Sequence, residues 1–336
     1  KERNFISAEE YYLKAITEAR KSNLGPELSA TLNNLGLLKI EVLQFKEAEV
    51  LINESLKLRL QYYGLNHRYV AQSYNNLARV YESSFKINES IDLYIKAIEI
   101  YENLGDRYNM LLARTLVNLS TVQLKIQELD IAQMNLIRAL ALSNKYSEDN
   151  SVSLSAMQNL AALLTQKGNF IEAEEIYLKL IKIGKNNNKE NSVSFARVLN
   201  NLAVLYKKQC KYDLAYPYIT KAINIWKSLS SSDYSNFAAA FHNLGELYKA
   251  QGKYILAIES FKNGIGLLDI SIDDFYEQYI EQSYSLINLY LKMGKKEESK
   301  NLLDTINNIR SDRGETNITL ENLPDEIYEE CSSSNI

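Results

Sequence analysis

The chain has 336 residues, 24% of them charged and 46% hydrophobic, with only three prolines and two cysteines. Its net charge of −4 is unevenly placed: residues 311 to 336 carry seven acids (Asp312, Glu315, Glu321, Asp325, Glu326, Glu329 and Glu330) against Arg313 alone, so the rest is close to neutral and lacks the basic field that holds nucleic acid or an anionic membrane surface. Cys210 and Cys331, even joined by His67 and His242, are too few for a disulfide framework or a zinc site, and no apolar run approaches the roughly 18 residues of a membrane span.

These exclusions lead to an expectation of a cytoplasmic protein in a reducing compartment, with no nucleic acid and no membrane insertion. The chain opens on Lys1-Glu2-Arg3 with a helical pattern already running at Phe5, so the biological N-terminus is expected to lie further upstream. A lone helix is read over residues 3–22. Helix pairs are then read over 27–62, 69–104, 109–146, 150–185, 191–229, 234–269 and 273–310. Within each pair the apolar residues keep helical spacing, as in Leu28, Leu32 and Leu35 or Tyr74, Leu77 and Tyr81. A break such as Gln251-Gly252-Lys253 separates the two helices. Residues 311–336, with Pro324 and Ser332-Ser333-Ser334, are read as an acidic, disordered tail.

Two columns of residues recur in register. An Asn-Leu-small motif stands at Asn34-Leu35-Gly36, Asn76-Leu77-Ala78, Asn118-Leu119-Ser120, Asn159-Leu160-Ala161, Asn201-Leu202-Ala203 and Asn243-Leu244-Gly245, in steps of 42, 42, 41, 42 and 42. Small residues follow at Ala48, Ser90, Ala132, Ala173, Ala215, Ala257 and Ser299. Helices approach closely only where one side chain at the crossing is nearly absent, so each small pair marks a first helix (A) seated on a second (B).

The segment Phe241 to Ile258, Phe-His-Asn-Leu-Gly-Glu-Leu-Tyr-Lys-Ala-Gln-Gly-Lys-Tyr-Ile-Leu-Ala-Ile, resembles the tetratricopeptide repeat. The resemblance covers nearly all of residues 1–310. The longer unit of 42 residues is similar to the kinesin-light-chain subtype, including the loop from Tyr63 to Ala71, where Arg68 stands in place of that subtype's usual proline. The resemblance implies an all-α solenoid, a right-handed superhelix of antiparallel helix pairs. It implies a non-catalytic scaffold or adaptor, with A helices lining a concave side that holds an extended peptide.

On helix A, the residues four before, three after and seven after each motif Asn share its face, opposite the leucine that enters the core. The expected peptide-binding residues are Asn34, Asn76, Arg79, Arg114, Asn118, Lys125, Asn159, Arg197, Asn201, Lys208, Asn243 and Glu246. A carboxamide donates to a peptide carbonyl and accepts from a peptide N–H at once. With A helices about 8–10 Å apart and an extended chain advancing about 3.3 Å per residue, one Asn meets about every third ligand residue. The same asparagines could instead serve only inter-helix hydrogen bonds. The basic residues favour a ligand with acidic and aromatic residues, although each could equally be an ordinary solvated charge.

In the tail, Leu323-Pro324-Asp325-Glu326-Ile327-Tyr328-Glu329-Glu330 sets an apolar and aromatic anchor among acids. It could be a self-ligand for the groove or a solubilising tail. No phosphate loop, nucleophile elbow or metal-spaced cluster stands out in the sequence, so neither catalysis, cofactor nor metal is expected. The rival to a free-standing adaptor is the regulatory arm of a larger enzyme or transcription regulator whose effector domain lies outside this chain.

Overall fold

The computed structural model describes residues 2–84, 86–147, 150–229 and 233–323. The described residues form fifteen α-helices and no strand. These are α1 (Glu2–Lys21), α2 (Gly25–Glu41), α3 (Phe45–Tyr63), α4 (Arg68–Ser83), α5 (Ile87–Leu104), α6 (Asn109–Lys125), α7 (Leu129–Ser143) and α8 (Ser151–Gln166), followed by α9 (Phe170–Asn186), α10 (Val193–Lys208), α11 (Tyr212–Leu229), α12 (Tyr234–Ala250), α13 (Tyr254–Leu268), α14 (Ile272–Lys292) and α15 (Lys296–Asp312). The chain forms two compact units, residues 1–163 and 164–336, whose boundary falls inside α8.

Each unit is an all-α solenoid of hairpins in which an A helix packs on its B helix and a B helix on the next A helix. In the first unit α2 sits on α3, α4 on α5 and α6 on α7; in the second α10 sits on α11, α12 on α13 and α14 on α15. The small columns explain the fit. Ala48, Ser90, Ala132, Ala173, Ala215, Ala257 and Ser299 are all buried. A Cβ built on Gly36 would come within 2.5 Å of Ile52 Cγ1, and one on Gly245 within 2.6 Å of the Phe261 ring. A third buried column, four residues beyond the second, fills the space that the small residues leave: Ile52, Tyr94, Leu136, Tyr177, Ile219, Phe261 and Leu303.

The A-to-B turns share one backbone device. After α2, α6, α8, α10, α12 and α14 a residue adopts the left-handed conformation: Leu43, Gln127, Gly168, Cys210, Gly252 and Gly294. The next N–H then reaches back five residues to an A-helix carbonyl, as Gln44 N does to Lys39 O (2.8 Å) and Lys253 N to Tyr248 O (2.9 Å). Glycine enters this conformation without Cβ strain, whereas Leu43, Gln127 and Cys210 carry that strain.

The described part of the acidic tail is not a free coil. α15 continues to Asp312, and residues 315–323 fold back on it, with Ile318 and Leu323 packed against the core of the last hairpin.

Candidate functional site

The buried leucine of each motif sets the rotation of its A helix. Leu35, Leu77, Leu119, Leu160, Leu202 and Leu244 are buried, which turns the preceding asparagine toward the opposite side. Successive A helices also touch one another, α2 with α4 and α4 with α6 in the first unit, α10 with α12 and α12 with α14 in the second. In each unit the asparagines therefore line the side on which the hairpins crowd together. Of the residues expected on this face only Asn76 is buried, at 4% exposure; Asn34, Arg114 and Lys125 are exposed, and Arg79, Asn118, Asn159, Arg197, Asn201, Lys208, Asn243 and Glu246 are half-buried.

The amides are linked across the hairpin seams. Asn118 Nδ2 donates to Asn75 Oδ1 (3.0 Å), Asn75 Nδ2 to Asn76 Oδ1 (3.2 Å), and Asn76 Nδ2 to Asn33 Oδ1 (3.0 Å). Arg59, buried on α3, closes this chain by donating from Nη1 to Asn33 Oδ1 (3.3 Å), the Tyr69 carbonyl (2.8 Å) and Ser73 Oγ (2.9 Å). Its burial lowers the guanidinium pKa to about 10, so it remains a cation at neutral pH. The second unit repeats the pattern: Asn243 Nδ2 donates to Asn200 Oδ1 (3.2 Å) and Asn200 Nδ2 to Asn201 Oδ1 (3.3 Å). Asn159 Nδ2 donates to Thr121 Oγ1 (3.1 Å).

Each asparagine-to-asparagine link runs from a motif asparagine to the residue just before the preceding hairpin's motif, or between those two neighbours, whereas Asn159 reaches Thr121, three residues after the motif asparagine. Asn33, Asn75 and Asn200 are therefore seam positions that the repeat motif alone does not flag. Their signal in the sequence is the doubled asparagine at Asn33-Asn34, Asn75-Asn76 and Asn200-Asn201. A carboxamide has two donor hydrogens and two acceptor lone pairs. Asn118, Asn159 and Asn243 each use one hydrogen at the seam, which leaves a donor and the carbonyl oxygen for the open side. Buried Asn76 donates and accepts within the chain, and little of its capacity faces solvent.

The charges beside the amides are partly answered from within. Lys125 Nζ lies 2.7 Å from Glu82, Arg79 3.7 Å from Glu41, and Lys249 2.9 Å from Glu246. Arg114 is exposed, and Arg197 has its Nε buried without a hydrogen-bond partner. Both histidines have partners within the fold. His242 contacts Ser285 Oγ at 3.0 Å and packs on Phe261, and burial pushes its pKa down to about 4. His67 caps α4 by accepting from Tyr69 N and stacks on Tyr63, with its pKa lowered by burial and then by Arg68 and Arg59. Cys210 is not a free thiol. Among the described residues no group of His, Cys, Asp or Glu could hold a metal ion, and no helix is long and apolar enough to cross a membrane. Of the expected self-ligand, Leu323 to Glu330, only Leu323 lies within the described residues.

A model of the tetratricopeptide repeat family matches residues 27–103, 111–186 and 194–267. No curated protein matches the sequence. Among solved structures, the apo form of RapI is similar, with a TM-score of 0.65 at 14% identity over 85% of this chain and 97% of that one. Aspartyl phosphate phosphatase F of Bacillus subtilis has a TM-score of 0.64 at 12% identity, over 88% of this chain and 73% of that one. Kinesin-light-chain repeats from Podospora anserina have a TM-score of 0.53 at 17% identity, over 61% of this chain and 98% of that one. At such identities the likeness is one of fold.

Proposed function

This chain belongs to the tetratricopeptide repeat family, and from that premise we propose that it works as an adaptor which holds an extended segment of a partner protein against the amide-bearing faces of its A helices. The observation that carries the reading is the half-used carboxamide. Asn118 and Asn159 in the first unit, and Asn243 in the second, are tied at one hydrogen and half-exposed, so each is held in one orientation before a ligand arrives. Preorganised donors and acceptors bind without an ordering cost at the moment of contact, and an amide that meets main-chain groups tolerates many ligand sequences.

Selectivity comes from Arg114 in the first unit and from Arg197 in the second, which favour a segment with acidic residues near an aromatic or aliphatic anchor. The cations at 79 and 125 contribute less, because Glu41 and Glu82 already face them and exposed ion pairs are worth about 0–1 kcal/mol. The seam bonds and the ligand bonds use different edges of the same amides, so both roles hold together.

The test is affinity capture from cells with the wild-type chain and with Asn118→Ala/Asn201→Ala, read by mass spectrometry. A partner held by the wild type and lost by the folded double variant supports the reading. Equal recovery of every partner by the two chains overturns it.

A further inference from the structure

At the end of the second unit the chain binds a piece of itself by main-chain capture. α15 stops at Asp312, Gly314 turns the backbone through φ +75, and residues 315–319, outside any helix, return along α15 to an extended Thr319. Asn307, on α15, clamps the main chain of a single residue at both its polar groups: its Oδ1 accepts from Ile318 N (2.8 Å) and its Nδ2 donates to Ile318 O (2.8 Å). Arg310 reads two further points, donating from Nε to the Thr316 carbonyl (3.0 Å) and pairing through Nη1 with the Glu315 carboxylate (3.0 Å). The Tyr276 hydroxyl donates to the same carboxylate at 2.6 Å, and Ser311 Oγ donates to Asn317 Oδ1 at 2.9 Å. Ile318 and Leu323 drop onto the buried cluster that includes Tyr276, Ile280, Leu303 and Ile306.

We propose that this face of the last hairpin, built by Asn307, Arg310 and Tyr276, is a second peptide-binding site, distinct from the A-helix amides, whose external ligand is an extended partner segment with an acid three residues ahead of an aliphatic residue. The occupant seated on it defines that chemistry. The carboxylate engages Arg310 and Tyr276, the main chain is held at the first and third residues after the acid, and an aliphatic side chain enters the core cluster at the third. Glu315, Asn317, Ile318 and Leu323 are read by side chain here, and a foreign segment with the acid and the aliphatic residue three positions on meets the charged and the apolar requirement. The tethered segment competes at an effective concentration in the millimolar range, and a partner enters when that segment lets go.

The test is fluorescence anisotropy with a labelled peptide of residues 313–323, titrated with full-length proteins. The chain carrying Glu315→Ala/Ile318→Asp, whose own segment has lost both anchors, should bind the peptide at least tenfold more tightly than the wild type. Adding Asn307→Ala to that background should weaken binding about tenfold, as expected for two lost hydrogen bonds. Should the double variant fail to fold by circular dichroism, Ile318→Ala alone should show the same ordering. Asn118→Ala/Asn201→Ala, placed in the released background, should leave peptide affinity unchanged, which separates this site from the A-helix reading. Binding no tighter than wild type in a folded released chain, indifference to Asn307→Ala, or loss on changing Asn118 and Asn201 would each overturn the proposal.

Discussion

Two glycines in the second unit isolate the contact that seats helix A on helix B. Gly245, on α12, would place a Cβ 2.6 Å from Cδ1 and Cε1 of Phe261, a ring with 0% exposure. Gly266, on α13, has no atom within 4 Å of the same hypothetical carbon. Replacing glycine by alanine inside a helix gains up to about 1 kcal/mol from backbone entropy, and that gain applies to both. Overpacking a filled core costs about 1–3 kcal/mol, and that cost falls on Gly245→Ala alone. The variants should therefore differ by roughly 1–3 kcal/mol, with Gly266→Ala at or above wild type and Gly245→Ala below it. For a unit of this size each kcal/mol moves the midpoint by about 2–4 °C, so the gap should reach several degrees in thermal melts of the full chain followed by circular dichroism. Equal shifts in the two variants would refute the claim that the small column sets helix approach.

Leu43 adopts φ 62 at a turn where other repeats use glycine, so Leu43→Gly should stabilise the first unit by roughly 1 kcal/mol, measured as a shift of the urea midpoint. Asn243→Ala and Asn200→Ala should each destabilise the second unit by about 1 kcal/mol, and a double-mutant cycle should show coupling of at least about 0.5 kcal/mol through their 3.2 Å bond. His242 titrates at about 4 when folded against 6.5 for the free side chain, so between those values the unfolded chain binds the extra proton. Its contribution is complete above pH 6.5 and is lost as pH falls toward 4, by up to roughly 3 kcal/mol; His242→Gln should flatten that part of the urea-stability profile.

The helix pairs were legible because their packing depends on residues that recur at one period. A small residue at Gly36 and Ala48, then Gly245 and Ala257, leaves few other ways to seat two helices. The side of the A helices on which the asparagines lie was legible for a related reason, since burying Leu119 or Leu202 fixes where Asn118 or Asn201 can point, but not how deep each amide sits, as buried Asn76 shows. The seam bonds were not, because the pairing of Asn118 with Asn75 depends on the axial offset between neighbouring helices, which no single hairpin encodes. The ion pairs of Arg79 with Glu41 and of Lys125 with Glu82 depend on the same offset, and they weaken the cationic character that a linear reading assigned to this face. The tail shows a different limit. Its composition is that of a solvated acidic segment, and the docking of residues 315–323 depends on Asn307, Arg310 and Tyr276, three residues that belong to no motif.

The decisive measurement is a structure of the chain bound to the captured segment of its partner. It should show an extended peptide along the A helices, with the side-chain amides of Asn118 and Asn159, or of Asn201 and Asn243, at about 2.7–3.2 Å from peptide main-chain groups and the seam bonds to Asn75 and Asn200 intact. A partner seated on the B helices, or one that reaches the A helices without touching those amides, would contradict the adaptor reading.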